Sequence, residues 1–126
     1  MKLRIKGNSL RLRISKSEMV TLVEAGIIED TIHFSTAPEA RLTYALQHVA
    51  AGPDIRLEYL PQRVEVVLST EAVKRWASNN EVGIYGTVAT AADPLELLVE
   101  KDYACLDGDN PLDEDAFPNP NAGSAC

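Results

Sequence analysis

Cysteine is nearly absent: the 126 residues contain two, Cys105 and Cys126, both late in the chain. Two thiols so placed are no disulfide framework, so a hydrophobic core must hold the fold. Aromatic residues make up 6% of the chain and the net charge is −7. That leaves few stacking platforms and a repulsive balance towards phosphate backbones, so nucleic acid is not an expected partner. No apolar run approaches the ~20 residues that a membrane span needs. The first residues enter an alternating pattern at once and show no signal-peptide core. The expectation is a cytoplasmic protein of bacterial type with reduced thiols.

Other absences narrow the chemistry. The seven glycines are dispersed, so there is no glycine-rich phosphate loop. Gly83-Ile84-Tyr85-Gly86 falls inside a strand-like stretch, where glycine marks a bulge or close packing. The two histidines, His33 and His48, have no partner at metal-ligand or proton-relay spacing. Each is expected on the surface or in a structural hydrogen bond. No catalytic residue can be assigned, and the balance leans away from an enzyme.

What the chain does contain is a pattern stated twice. Leu3 and Ile5 alternate with Lys2, Arg4 and Lys6; Gly7-Asn8 makes a turn; Leu10, Leu12 and Ile14 alternate with Arg11 and Arg13. Period-two alternation gives a strand with one buried face, and Gly-Asn between two such runs is a hairpin signal. Ser15 and Glu18 then form a capping box, followed by the helical stripe Met19, Leu22, Val23 and Gly26, with Gly26 as a left-handed stop. Strands are expected at 30–34 and 41–49.

The second half follows suit. Ile55, Leu57 and Tyr59 alternate with Arg56 and Glu58; Leu60-Pro61-Gln62-Arg63 turns; Val64, Val66 and Leu68 alternate with Glu65 and Val67. Ser69 or Thr70 caps a helix with the stripe Val73, Trp76 and Ala77, ended by Asn79-Asn80. Strands are expected at 81–88 and 95–103. The fold class expected is therefore α+β, with antiparallel sheets from two ββαββ units. They form an internal pseudo-repeat spanning about residues 1–50 and 54–106, each sheet face packed against its helix. Closure of the sheets into a barrel is one outcome of that pattern.

Charge divides the chain at the end of the second unit. All 12 basic residues precede position 107, whereas residues 107–126 carry five of the 19 acidic ones. This Asp-, Asn-, Pro- and Gly-rich tail has only Phe117 and Leu112, with the adjoining Leu106, to anchor it. It cannot bury enough apolar surface to fold alone. A single domain over residues 1–106 with an irregular acidic tail is expected, the tail being able to lie back over the body.

The opening Leu3-Arg4-Ile5-Lys6-Gly7-Asn8-Ser9-Leu10-Arg11-Leu12-Arg13 and the closing Leu98-Val99-Glu100-Lys101-Asp102-Tyr103-Ala104-Cys105-Leu106 are similar to a family of small, uncharacterised bacterial proteins. The resemblance runs on through Asp113 to Asp115 and Asn119-Pro120-Asn121 to Cys126. It implies one bacterial domain with a tail and carries over no activity or catalytic residue.

Several constellations can carry function. On the first hairpin, Lys2, Arg4, Lys6, Arg11 and Arg13 share one face, and the guanidinium groups of Arg4, Arg11 and Arg13 suit a phosphate or carboxylate. The plainer readings are a solvated face or a dock for the acidic tail. In the tail, Cys105, Asp107, Asp109 and Cys126 offer thiolate and carboxylate ligands to a metal. They lack zinc-site and calcium-loop spacing, so two free thiols or a disulfide stay open. Glu96, Glu100 and Asp102 with Arg56, Glu58, Arg63 and Glu65 could line a barrel interior, as in triphosphate tunnel enzymes. However, the Glu-x-Glu-x-Lys start of that fold is absent. The function expected is that of a small cytoplasmic binding or accessory protein, without a cofactor, engaging a protein partner through its tail or basic hairpin. The alternatives are an enzyme or carrier for an anionic ligand, or a metal-binding protein.

Overall fold

The computed structural model describes residues 1–103 and 115–118. Eight strands and two helices follow in the order β1 (Lys2–Lys6), β2 (Ser9–Ile14), α1 (Lys16–Ala25), β3 (Ile27–His33), β4 (Arg41–Val49), β5 (Ile55–Leu60), β6 (Arg63–Ser69), α2 (Thr70–Ser78), β7 (Gly83–Val88) and β8 (Leu95–Lys101). The class is α+β. The strands form two four-stranded sheets, ordered β1-β2-β8-β7 and β3-β4-β6-β5.

Two expectations require correction. The sheets are mixed rather than antiparallel: β2 runs parallel to β8, and β4 parallel to β6. Nor do they close into a barrel, because β7 and β5 are sheet edges that meet without a ladder between them. Each sheet takes its hairpin from one half of the chain and its other two strands from the opposite half. Within the second hairpin's sheet, β6 lies beside β4; within the first hairpin's sheet, β2 lies beside β8.

Local signals act as the sequence suggests. Ser15 accepts from the Glu18 amide, and the Glu18 carboxylate accepts from the Ser15 amide at 3.0 Å, completing the capping box. Gly26 ends α1 in the left-handed region at φ 87°, donating to the Leu22 carbonyl. Ser69, not Thr70, caps α2 through the Ala72 amide. The hairpin turns need positive φ at Gly7 (55°) and at Gln62 (65°), the latter following Pro61 as in a type II turn.

A single core joins everything. The inward residues of both sheets (Leu10, Leu12, Ile14, Leu97 and Val99; Ile28, Leu46, Val66 and Leu68) pack with Met19 and Leu22 of α1 and Ala72, Val73 and Trp76 of α2. Hence the helices do not each serve one sheet. α1 touches β3 and β4, whereas α2 touches β4, β6 and β7 across both sheets. Val23 and Ala77, expected in the helical stripes, are exposed, and Ala72 is buried instead.

His48 ties the two helices together. Its Nε2 lies 3.1 Å from the Leu22 carbonyl and its Nδ1 2.8 Å from the Thr70 hydroxyl. A carbonyl only accepts, so Nε2 carries a proton and donates to it, and in that neutral tautomer the Thr70 hydroxyl donates to Nδ1. The structural role expected for this histidine is the one seen. His33, at the end of β3, is exposed.

Where the sheets meet, Gly86 of β7 faces Ile55 of β5, and a Cβ at that position would collide with the Ile55 Cγ2 methyl. The close packing read from the Gly83–Gly86 stretch is therefore real. Gly86→Ala is expected to lower stability by about 1–3 kcal/mol through overpacking. Adding Ile55→Ala should cost less than the sum of the single losses. Chemical denaturation of the four proteins checks this, and strict additivity would show that the two residues do not press on each other.

Candidate functional site

The basic hairpin face forms as read. Arg4 and Arg11 are cross-strand partners, as are Lys2 and Arg13, so Arg4, Arg11 and Arg13 project from adjoining positions of the sheet face turned away from the core. The third strand of that face brings carboxylates. In the parallel pairing of β2 with β8, Arg13 lies beside Glu100 and Ser9 beside Glu96. Arg13 Nε reaches Glu100 at 2.5 Å and Arg11 Nε stands 3.6 Å from the same carboxylate. Lys2 pairs with Asp102 at 2.7 Å. Among the described residues Arg4 and Lys6 have no acidic group within ion-pair distance.

The corresponding face of the second sheet is arranged differently. Arg63 is forked between Glu29 at 2.8 Å and Glu65 at 2.7 Å, and these hydrogen bonds hold its guanidinium pKa above the usual arginine value. Gln47 donates to Glu65, and Arg56 pairs with Glu58. Both cations are thus paired, with the carboxylates in excess by one. The two sets considered for a barrel interior thus stand on polar faces of two separate sheets, and no tunnel encloses them.

The described part of the tail does not lie on the basic hairpin. Asp115 sits at the start of α1, accepting from the Ser17 amide at 3.0 Å and from the Ser17 hydroxyl. Hydrogen bonds from Ser17 and Ser15 hold the Asp115 carboxyl below the usual aspartate range. The carboxylate also meets the positive end of the helix dipole. Two residues on, the Phe117 amide donates to the Asp102 carbonyl at 2.9 Å, and Phe117 forms a parallel bridge with Tyr103. Phe117 is one of the anchors expected from composition. Cys105, Asp107, Asp109 and Cys126, the candidate metal ligands, lie outside the described residues, as do Leu106 and Leu112.

The returning tail, a strap over residues 115–118, forms one wall of a feature that sequence reading missed. A cavity of about 520 Å³ is lined by Asn79, Asn80, Lys101, Tyr103, Phe117 and Pro118, among others. Lys101, the last residue of β8, is only 6% exposed. Its Nζ donates to the Asn79 carbonyl at the end of α2 at 2.7 Å and lies 5.5 Å from the Phe117 ring centroid. Burial pushes its pKa below the usual lysine value, against an opposing pull from Glu81. Burial likewise raises the Tyr103 phenol, so it stays protonated. The signal was present: Leu97, Val99 and Lys101 share parity, which puts the lysine on the apolar side of its strand.

The described residues make an α+β protein of two mixed sheets with one basic face and one buried-lysine cavity. The chain belongs to a family of unknown function, DUF7009, which matches residues 1–121. No curated protein and no solved structure matches it. None of the helices among the described residues is long and apolar enough to cross a membrane.

Because the Asp115 pKa is depressed in the folded state, its contribution to holding the strap is present above the ordinary aspartate pKa. It is lost as pH falls through the lower folded value. At neutral pH, Asp115→Asn should remove it outright. The Phe117 amide is expected to exchange with deuterium several-fold faster, while core amides such as Leu12 and Val99 keep their protection. Unchanged Phe117 exchange would mean that Asp115 does not hold the strap.

Proposed function

We propose that this is a small, non-catalytic binding protein of the bacterial cytoplasm that holds an acidic segment of a protein partner on the β1–β2 face. The observation that carries the proposal is the contrast between the two polar sheet faces. On the second sheet Arg56 and Arg63 are met by Glu58, Glu29 and Glu65. On the first, five cations face Glu96, Glu100 and Asp102, and Glu100 serves both Arg11 and Arg13. A surplus of positive charge on one face of a chain with a net charge of −7 favours an acidic counterpart in one orientation. Arg4, Arg11 and Arg13 are the residues assigned to it, with Lys6 beside them. The reading also takes residues 1–106 as one body built from two pseudo-repeated ββαββ units. Two features support the repeat: the element order recurs, and exchanging the halves maps one strand order onto the other.

A fluorescent poly-aspartate peptide tests the proposal by anisotropy at low and at physiological ionic strength. Binding is expected at low salt and should weaken as salt screens it. Arg4→Gln combined with Lys6→Gln should weaken it several-fold, whereas Arg56→Gln should leave it unchanged. Absence of binding at low salt, or equal loss in the Arg56 variant, would count against the basic face as the site.

A further inference from the structure

We infer that the cavity under the tail strap is a binding site for a small apolar monocarboxylate, with Lys101 as its counter-ion. This site is separate from the basic sheet face and does not depend on it.

Burying an ammonium group costs free energy unless charge or hydrogen bonds compensate it. Among the described residues Lys101 has one direct hydrogen bond, to the Asn79 carbonyl, and no carboxylate within ion-pair distance. An ammonium carries three donors, so two have no hydrogen-bond partner among the described residues. The Phe117 ring faces the group at 5.5 Å, a cation–π contact that offsets part of the burial but brings no hydrogen-bond acceptor and no full negative charge. Capping the end of α2 explains one of the three protons and explains neither the cavity nor the other two. An entering anion would supply both the missing charge and the missing acceptors.

The walls define what the anion is attached to. Phe117 and Tyr103 stand edge to face, with ring centroids 6.2 Å apart, and Pro118 extends the apolar side. The volume of about 520 Å³ is that of a small-molecule pocket. The polar groups gather at the other side: the ammonium, the protonated Tyr103 phenol and the asparagines at the end of α2, with one positive charge among them. A multiply charged phosphate would be left with unmet charge in such surroundings, whereas one carboxylate on an apolar body matches them. The strap that forms one wall of the cavity is fixed at Asp115 to α1 and at Phe117 to the Asp102 carbonyl. The cavity opens to the surface beside the exposed Asn80, so entry requires no opening of the core.

The test uses the full chain and benzoate as the probe, followed by NMR with lysine labelled at Cε and phenylalanine and tyrosine labelled in their rings. Saturable shifts are expected at Lys101 Cε, Phe117 and Tyr103, with the lysine pKa rising on binding as the counter-ion arrives. Lys101→Met should weaken benzoate binding by about tenfold or more, the loss of one charge-assisted hydrogen bond. Should that variant unfold, Asn80→Leu, which fills the exposed mouth of the cavity, is expected to weaken binding while thermal unfolding stays unchanged. The inference is overturned if benzoate causes no saturable shift at Lys101, or if Lys101→Met folds and binds equally well. It is also overturned if the shifts appear at the labelled lysines of the β1–β2 hairpin instead. Loss of poly-aspartate binding on Arg4→Gln bears only on the sheet face, so the two readings can fail separately.

Discussion

The parallel pairings of β2 with β8 and of β4 with β6 are the constraint on which the rest of the structure depends. They join each hairpin to strands from the opposite half of the chain. Neither half holds a four-stranded sheet by itself, and neither can cover the apolar side of its own hairpin. Only when both crossings are made do Leu12, Ile14, Leu97 and Val99 meet Leu46, Val66, Leu68 and Trp76 in one core. Parallel pairing joins distant segments, and loop-closure entropy must be met before such contacts return free energy. The chain is therefore held as a unit by a few long-range decisions, with hairpins and helix caps as local parts.

The same pairings place the charges. β8 runs beside β2, and so Glu100 lies between Arg11 and Arg13. β4 runs beside β6, and so Gln47 meets Glu65, while Arg63 bridges Glu65 and Glu29. The ladders of the two faces share one register relative to the caps Ser15 and Ser69, so their different electrostatics come from which side chains occupy equivalent positions: Arg13 and Glu100 on one, Val67 and Gln47 on the other. One becomes a self-satisfied network of modest energetic value. The other keeps Arg4 and Lys6 available.

Lys101 is where the protein departs from consistency between local pattern and global fold. Its strand position places it with Leu97 and Val99, yet it is a charged group in an apolar setting. Conflicts of this kind concentrate at functional sites, because they cost stability without improving packing. The strap through Asp115 and Phe117 makes the conflict local, covering the lysine at one wall of the cavity and leaving the core intact.

By itself the sequence determined the local elements. Strict alternation set β1, β2, β5 and β6, Ser15 with Glu18 and Gly26 bounded α1, and Ser69 or Thr70 marked the start of α2, because these signals act over three or four residues. The grouping of Arg4, Arg11 and Arg13 was legible too, since a hairpin register follows from its turn. Strand boundaries were less sharp: β3 starts at Ile27, ahead of the expected 30, and β8 ends at Lys101 rather than 103. Which hairpin met which distant strand pair was decided only in the tertiary structure, and with it the absence of a closed barrel. Alternation specifies a buried face but not the neighbour that buries it. The setting of Lys101 and the anchoring of Asp115 to Ser17 were settled at the same level, for they join residues with no shared local pattern. Proximity between such groups is a product of the whole packing.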